Sequence, residues 1–198
     1  CQGELIVEIS WRRGEDKNHD LDIDDDAIVK EAIDNANAFA PLYWRYSKRV
    51  FRYVYSRVEN QKDAEDITSQ VFTDALSALP RYRSRGRFAG WLFTFAYRRC
   101  ADFHRRPIIE KLPENISAKE SGDPADQVIE KEIFTRMEHI LSSLREDERE
   151  LLRLHYVAEL TYREIADVLG RNQGAVKMAM SRVIQKIKIR WEDDDEQD

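Results

Sequence analysis

The sequence has little of what marks secreted, membrane-spanning and metal-dependent proteins. It contains only two cysteines, Cys1 and Cys100, and its four histidines are scattered without metal-ligand spacing. No apolar run approaches the ~20 residues that cross a bilayer, and the acidic, mixed N-terminus shows no secretory signal. We therefore expect no disulfide framework, no metal site and no membrane insertion, and a cytoplasmic localisation fits best.

Signatures of catalysis are also missing. The chain has no glycine-rich phosphate loop, and no candidate nucleophile lies in a recognisable setting. His155 is flanked by Leu154 and Tyr156, which favours a structural histidine over a metal ligand. The sequence thus predicts a protein that is not an enzyme, with no catalytic residue, no cofactor and no metal.

The net charge of −6 conceals an uneven charge distribution. Residues 1–34 hold eleven acids against four Lys or Arg, and residues 192–198 hold six acids and no base. By contrast, residues 80–106 hold eight Arg and one acid, and residues 171–190 hold six Lys or Arg and no acid. The two basic internal segments favour nucleic-acid binding, although the acidic ends make the net charge of the whole chain negative.

Apolar residues recur at spacings of three and four along most of the chain, and no strand-period segment of consequence occurs. The fold class predicted is all-α, with two small helical domains joined by a flexible linker and a helix-turn-helix in the C-terminal domain. The predicted segments are an acidic disordered extension (1–26), a helical domain (27–106), a linker rich in proline (107–127), a second helical domain (128–190) and an acidic tail (191–198).

Residues 161–189 carry the helix-turn-helix pattern. Thr161 and Glu164 form a Thr-x-x-Glu capping box that begins a helix. Gly170 can adopt the positive φ that a sharp helix-ending turn requires, and Asn172 suits the N-cap of the next helix. Such a motif lays its second helix in a DNA major groove. The alternative is a helical hairpin of a bundle with a solvated basic face.

The segment from Arg81 to Arg106 combines arginines with aromatic residues. Arginine pairs with phosphate, and aromatic rings can stack on unpaired bases, so the segment suits a protein that holds opened DNA. The alternative for Phe88, Trp91 and Phe95 is the hydrophobic core, because they lie at core spacing. The candidate DNA-binding arginines are Arg81, Arg83, Arg85, Arg87, Arg98, Arg99, Arg105 and Arg106.

Asp63, Asp66 and Gln70 lie at spacings of three and four, on the helix face opposite an apolar stripe. An acidic face can dock on a basic partner, although an ordinary solvated face explains the same pattern.

Taken together, these segments resemble bacterial RNA polymerase sigma factors of the extracytoplasmic-function group. The resemblance covers about residues 36–106 and 128–190. It rests on four motifs in order: AFAPLYWRYSKRVFRYVYSRV, DAEDITSQVF, FAGWLFTFAYRRCADFHRR and LREDERELLRLHYVAELTYREIADVLG.

The resemblance implies a promoter-specificity subunit that binds core RNA polymerase, recognises the −35 and −10 promoter elements and helps open the DNA. Its partners would be the polymerase, through the β′ clamp helices and the β flap, promoter DNA, and an anti-sigma factor as a candidate. Asp63, Asp66 and Gln70 would contact the clamp helices. The eight candidate arginines of the segment from Arg81 to Arg106 would contact the −10 element. The candidates for the −35 element are Arg171, Asn172, Gln173, Lys177 and Arg182.

Two positions depart from the family pattern, since the family often has Asn at the position of Arg98 and a long polar residue at the position of Ala179.

The residues also allow one alternative function, that of a simple DNA-binding regulator that uses the helix-turn-helix alone. Such regulators usually bind palindromic sites as dimers.

Overall fold

The computed structural model describes residues 19–83, 87–105 and 124–195, and it gives only the backbone for residues 19–24, 124–132 and 194–195. This part of the chain is helical and contains no strand, so the predicted all-α class is confirmed. No helix in it is long and apolar enough to cross a membrane. The α-helices are α1 (His19–Asp34), α2 (Ala40–Val58), α3 (Gln61–Ala78), α4 (Phe88–Arg105), α5 (Pro124–Ser142), α6 (Glu146–Leu152), α7 (Tyr162–Leu169) and α8 (Gln173–Asp195).

Helices α2, α3 and α4 pack against one another and form the first domain. Pro41 lies in the first turn of α2, where its missing N–H costs nothing. The side chain of Asn60 accepts a hydrogen bond from the N–H of Asp63 at 3.0 Å and so begins α3. The apolar spacing after the arginine loop, together with Pro107, predicts a helix from about Phe88 to Arg105, and α4 has these bounds. The core of this domain includes Leu42, Tyr46, Val50, Val54, Ile67, Val71, Phe88, Leu92 and Cys100.

Helix α1 includes residues 19–26, which belong to the extension predicted to be disordered. It begins at His19, and its Asp25 side chain is fully buried. There Asp25 pairs with the guanidinium of Arg45 and accepts a hydrogen bond from the hydroxyl of Tyr46. Asp26 accepts a hydrogen bond of 3.2 Å from Tyr82. Neighbouring acidic side chains repel one another, but these partners elsewhere in the first domain stabilise the C-terminal part of the acidic run. Residues 1–18 lie outside the described residues.

The second domain consists of α5 to α8, with a π-helical turn at Arg153–Val157 after α6. Its core includes Leu144, Leu151, Leu154, Leu160, Ile165, Val168, Val176, Met180 and Val183. Most of the predicted linker lies outside the described residues, and α5 already begins at Pro124, before the predicted boundary at residue 128.

Helix α8 continues to Asp195 and so extends into the predicted acidic tail, residues 191–198. The guanidinium of Arg136 lies over the ring of Trp191, 4.2 Å from its centroid, and also donates a hydrogen bond to the carbonyl of Trp191. This cation–π contact anchors the end of α8 on α5.

The two domains are in contact. Helix α4 packs on α7, and α2 packs on the π-helical turn. The buried side chains of both domains form a single cluster. The predicted DNA-binding segments therefore lie on one compact body.

Candidate nucleic-acid and polymerase interface

The helix-turn-helix has the predicted local geometry. The carboxylate of Glu164 accepts hydrogen bonds from the backbone N–H and the hydroxyl of Thr161, at 2.8 and 2.7 Å, and the N–H of Glu164 donates to that hydroxyl. Gly170 ends α7 with φ of 62°, in the left-handed region where glycine is favoured. Asn172 then accepts a hydrogen bond of 2.8 Å from the N–H of Gly174. Both predicted caps and the predicted glycine turn are confirmed.

The five candidates for the −35 element share one property: their side chains are exposed, in the turn and along α8. They are Arg171, Asn172, Gln173, Lys177 and Arg182. On the opposite side of α8, Val176, Met180 and Val183 are buried and hold the helix on the domain. Ala179 is partly buried against the core, whereas the neighbouring Met178 is 60 % exposed. The helix thus presents a polar and basic face that includes the apolar side chain of Met178.

The arginine loop, residues 81–87, is described at its two ends. Arg81 and Arg83 are exposed, and Arg83 donates a long hydrogen bond of 3.4 Å to the carbonyl of Pro80. Arg87 instead forms an ion pair of 2.5 Å with Asp167 on α7. Arg85 lies outside the described residues, as does Arg106. The loop therefore offers two exposed arginines here, while a third is held by the second domain.

The arginines of α4 differ in their surroundings. Arg98 is exposed, and no hydrogen bond or ion pair involves it within the described residues. Arg99 pairs with Asp74 on α3, and this hydrogen-bonded carboxylate raises the pKa of the guanidinium. Arg105 is exposed and lies 3.3 Å from Asp102. Arg98 is therefore the α4 arginine with the most freedom to contact a phosphate.

The aromatic residues of this region are mostly structural, in agreement with the alternative drawn from the sequence. Phe88 and Phe93 are fully buried. Trp91 and Phe95 are partly buried, with ring centroids 4.9 Å apart. Tyr82 is also only 8 % exposed. Base stacking by Tyr82 would need it to leave this site.

The three candidates for polymerase contact lie on the outer face of α3. Asp66 and Gln70 are exposed, and Asp63 is half-buried near the N-terminus of the helix. Asp66 has no hydrogen bond or ion pair with the described residues. Gln70 accepts a hydrogen bond of 3.4 Å from Arg99. This face therefore presents an accessible carboxylate close to the arginine-bearing helix.

A set of residues that the sequence did not single out joins the domains. Glu150 on α6 is 5 % exposed, and its carboxylate accepts a hydrogen bond of 2.5 Å from the hydroxyl of Tyr53 on α2. Arg57, also on α2, forms an ion pair with the same carboxylate. Burial, followed by the nearby Glu150 charge, holds the pKa of Tyr53 well above its usual value, so the hydroxyl stays protonated and donates. No local sequence pattern predicts these contacts.

No group of three or more metal-ligating side chains occurs in the described residues. His155 lies within 3.0 Å of the carbonyl of Leu160 through Nδ1, and its ring stacks on Tyr162. This packing confirms the structural role predicted for His155.

Comparison with known proteins agrees with the two-domain arrangement. Residues 42–107 match the family model Sigma-70 region 2, and residues 134–187 match Sigma-70, region 4. The ECF RNA polymerase sigma factor SigD of Mycobacterium tuberculosis is 35 % identical over 175 residues, which cover 82 % of each chain. The ECF RNA polymerase sigma factor BldN of Streptomyces coelicolor is 31 % identical over 172 residues, which cover 84 % of this chain and 65 % of BldN.

A solved structure has a similar fold. CnrH, in complex with the cytosolic domain of CnrY, superposes with a TM-score of 0.62 at 21 % identity, over 85 % of this chain and 97 % of CnrH. At this identity the likeness supports the fold alone.

Proposed function

This chain belongs to the sigma-70 family, in its extracytoplasmic-function group. From that membership we propose which of its surfaces contact the polymerase and which contact each promoter element. The family function is promoter recognition: the protein is a subunit that binds core RNA polymerase and promoter DNA for transcription initiation. The family consists of non-catalytic initiation factors. We accordingly propose that the chain is not an enzyme and that it acts in the cytoplasm, where its polymerase transcribes.

The second domain is proposed to read the −35 element through α8. The observation that carries this proposal is the exposure of Arg171, Asn172, Gln173, Lys177 and Arg182 on a helix whose other side is buried in the domain. Long polar and basic side chains at the start of such a helix can reach base edges and phosphates in a major groove. The same domain is the proposed contact of the polymerase β flap.

The first domain is proposed to engage and open the −10 element through the arginine loop and α4. Support comes from Arg81, Arg83 and Arg98, which are exposed, the first two in the loop and the third on α4. Exposed arginines can neutralise the backbone of a strand that has left the duplex. Arg85, Arg87, Arg99, Arg105 and Arg106 complete the proposed set. Among them, Arg87 and Arg99 form ion pairs with Asp167 and Asp74 of the same chain.

The face of α3 formed by Asp63, Asp66 and Gln70 is proposed to dock on the β′ clamp helices. Asp66 supports this docking, because an exposed carboxylate without a partner in the described residues is available to a basic surface. An anti-sigma factor stays a prediction of the family resemblance.

Binding to core polymerase tests the docking face directly. Asp66→Arg should weaken binding of the chain to core polymerase at least tenfold in a competition assay, because it places like charges opposite each other. Glu31→Arg, a matched charge reversal at an exposed position of α1 in the same domain, should bind as the unaltered chain does. Equal binding by both variants would remove the proposed docking face.

Promoter selection tests the function of the two DNA-contacting surfaces. Holoenzyme reconstituted from core polymerase and this chain should select, from a randomised DNA pool, sequences with two separated conserved elements. Selection of a single palindromic element, without polymerase, would instead support the simple regulator.

A further inference from the structure

The side chain of Met178 projects from α8 on the side that faces away from the domain. Successive residues of an α-helix are rotated by about 100°, so Met178 lies about 200° around the helix axis from Val176. Val176 and Met180 are buried, whereas Met178 is 60 % exposed. An apolar side chain therefore occupies the most outward position of this part of the helix, opposite the stripe that holds α8 on its domain.

Most of the residues around Met178 on this outward face are small. Residues three and four positions apart are neighbours on a helix surface. At these spacings Met178 has Gly174, Ala175, Ser181 and Arg182 as neighbours, and all four are exposed. Because three of them are short, a surface that receives α8 can approach its backbone closely. Met178 and Arg182 are then the long side chains that reach this surface, one apolar and one charged.

The thioether of Met178 can discriminate between bases because it lacks strong hydrogen-bonding groups. In the major groove, guanine, cytosine and adenine present only donors and acceptors, whereas thymine presents a methyl group beside its acceptor. Methionine sulfur is a weak acceptor and donates no hydrogen bond, so a polar base edge covered by Met178 would lose water without gaining a partner. The thymine methyl group instead gains an apolar contact, to which the flexible methionine side chain adapts.

We propose that Met178 is a specificity-determining residue of the −35 contact and that it reads a thymine through the C5-methyl group. This assignment rests on the proposed function, because it takes α8 to be the helix that enters the major groove. It adds an apolar contact to the polar candidates on the same helix. The −35 element of this protein therefore contains an A·T pair whose methyl group faces Met178.

Uracil substitution tests this contact, since uracil differs from thymine only by the missing methyl group. Holoenzyme reconstituted with this chain is bound to a promoter that it transcribes, and each thymine of the −35 element, on either strand, is replaced by uracil in turn. At one position the replacement should weaken binding about fourfold, the loss expected when one methyl group leaves an apolar contact. If no uracil weakens binding, the proposal is overturned.

Met178→Ala connects the effect to this side chain. The variant should bind the thymine promoter and the uracil promoter equally, as expected in a double-mutant cycle of two groups in contact. Met178→Leu keeps an apolar side chain of similar volume and should retain the preference for thymine. Equal uracil sensitivity in Met178→Ala and in the unaltered chain would overturn the proposal, because another residue would then read the methyl group.

Ile189→Ala is the matched control, because Ile189 is an apolar residue of α8 that is 49 % exposed. It lies about three turns beyond Met178, away from the start of the helix, so its replacement should leave the uracil profile unchanged. Circular dichroism should show the same helix content in all variants, since each replaced side chain is exposed. Loss of the thymine preference in Ile189→Ala as well would overturn the assignment to Met178.

Two further outcomes separate this contact from the proposed function and from a role in protein binding. Holoenzyme that binds no promoter would contradict the proposed function and the thymine contact together. Holoenzyme that binds its promoter without any effect of uracil contradicts the thymine contact alone. Weaker binding of Met178→Ala to core polymerase without DNA would assign Met178 to a protein interface and overturn the proposal.

Discussion

The guanidinium of Arg99 on α4 donates two hydrogen bonds to the carboxylate of Asp74 on α3, at 2.6 and 2.7 Å. This pair joins the helix proposed to contact the −10 element to the helix proposed to dock on polymerase. Arg98, one position earlier, is exposed and makes no such contact within the described residues. We expect these two neighbouring arginines to differ in their main role, Arg99 in joining the two helices and Arg98 in contacting DNA.

Replacing each of these arginines should separate the two roles. Arg99→Ala should lower the free energy of unfolding by about 1 kcal/mol, because it breaks a partly exposed bidentate pair. Arg98→Ala should leave the stability within about 0.5 kcal/mol but slow promoter opening by holoenzyme. Urea denaturation and a fluorescence assay of opening measure the two effects. A fully stable Arg99→Ala protein would show that the pair with Asp74 contributes nothing.

The salt dependence of promoter binding should distinguish two residues of α8. Lys177→Ala should reduce the slope of log K against log salt by about 1, since it removes one phosphate contact. Gln173→Ala should keep the slope but lose about 1–3 kcal/mol of discrimination at one base pair. Filter binding of holoenzyme over a salt series, on matched and mutated −35 elements, measures both quantities.

Gln185→Ala serves as the control for these two variants, because Gln185 is exposed farther along α8. It should change neither the slope nor the sequence preference. If Lys177→Ala binds with the unaltered slope, Lys177 makes no phosphate contact in the complex.

The turn of the helix-turn-helix should be sensitive to the loss of Gly170. Its φ of 62° disfavours any residue with a Cβ, although no residue beyond its two chain neighbours comes within 4 Å of where that Cβ would be. Gly170→Ala should therefore cost about 1 kcal/mol through backbone strain alone, and lower Tm by roughly 2–4 °C. Differential scanning calorimetry measures the shift.

Gly174→Ala is the comparison for this variant, because Gly174 lies in the first turn of α8 and lacks a positive φ. Its new Cβ would lie 3.2 Å from the Asn172 side-chain oxygen, which can move slightly. The helix propensity of alanine offsets this crowding, so Tm should stay nearly constant. Equal losses at the two glycines would rule out backbone strain as the cause.

Local patterns explain which features could be predicted from the sequence. The capping residue Thr161, the positive φ of Gly170 and the bounds of α4 follow from neighbouring residues, and all three agree with the structure. The pairing of Tyr53 with Glu150 could not be predicted in this way, because the two residues lie 97 positions apart. The acidic start of α1 was missed for the same reason, since its Asp25 depends on Arg45 in another helix.

In the candidate site, too, features set by neighbouring residues could be predicted, whereas contacts between residues distant in sequence could not. Exposure of the −35 candidates follows from the helical period of α8, whose apolar positions face the core. The capture of Arg87 by Asp167 and of Arg99 by Asp74 depends on how helices distant in sequence pack. Composition alone therefore overstates how many arginines of the first domain are available to DNA.

An ion pair in the second domain should make its stability depend on acid pH. The carboxylate of Glu148 on α6 accepts hydrogen bonds from Lys186 of α8 and from the N–H of Arg145, both at 2.8 Å. These bonds, that of Lys186 first, hold the pKa of Glu148 below its usual value. Because the folded pKa lies below the unfolded value of about 4.3, the contribution is complete above that pH and is lost as the pH falls through the folded pKa.

Glu148→Gln should therefore lower the free energy of unfolding by about 0.5–1 kcal/mol near neutral pH, and the difference from the unaltered chain should shrink steadily below about pH 4. Urea denaturation over a pH series measures this difference. Glu138→Gln is the control, since Glu138 is exposed on α5 and has no hydrogen bond or ion pair with the described residues. A Glu148→Gln deficit that stays constant with pH would mean that packing, rather than the charge on Glu148, stabilises the contact between α6 and α8.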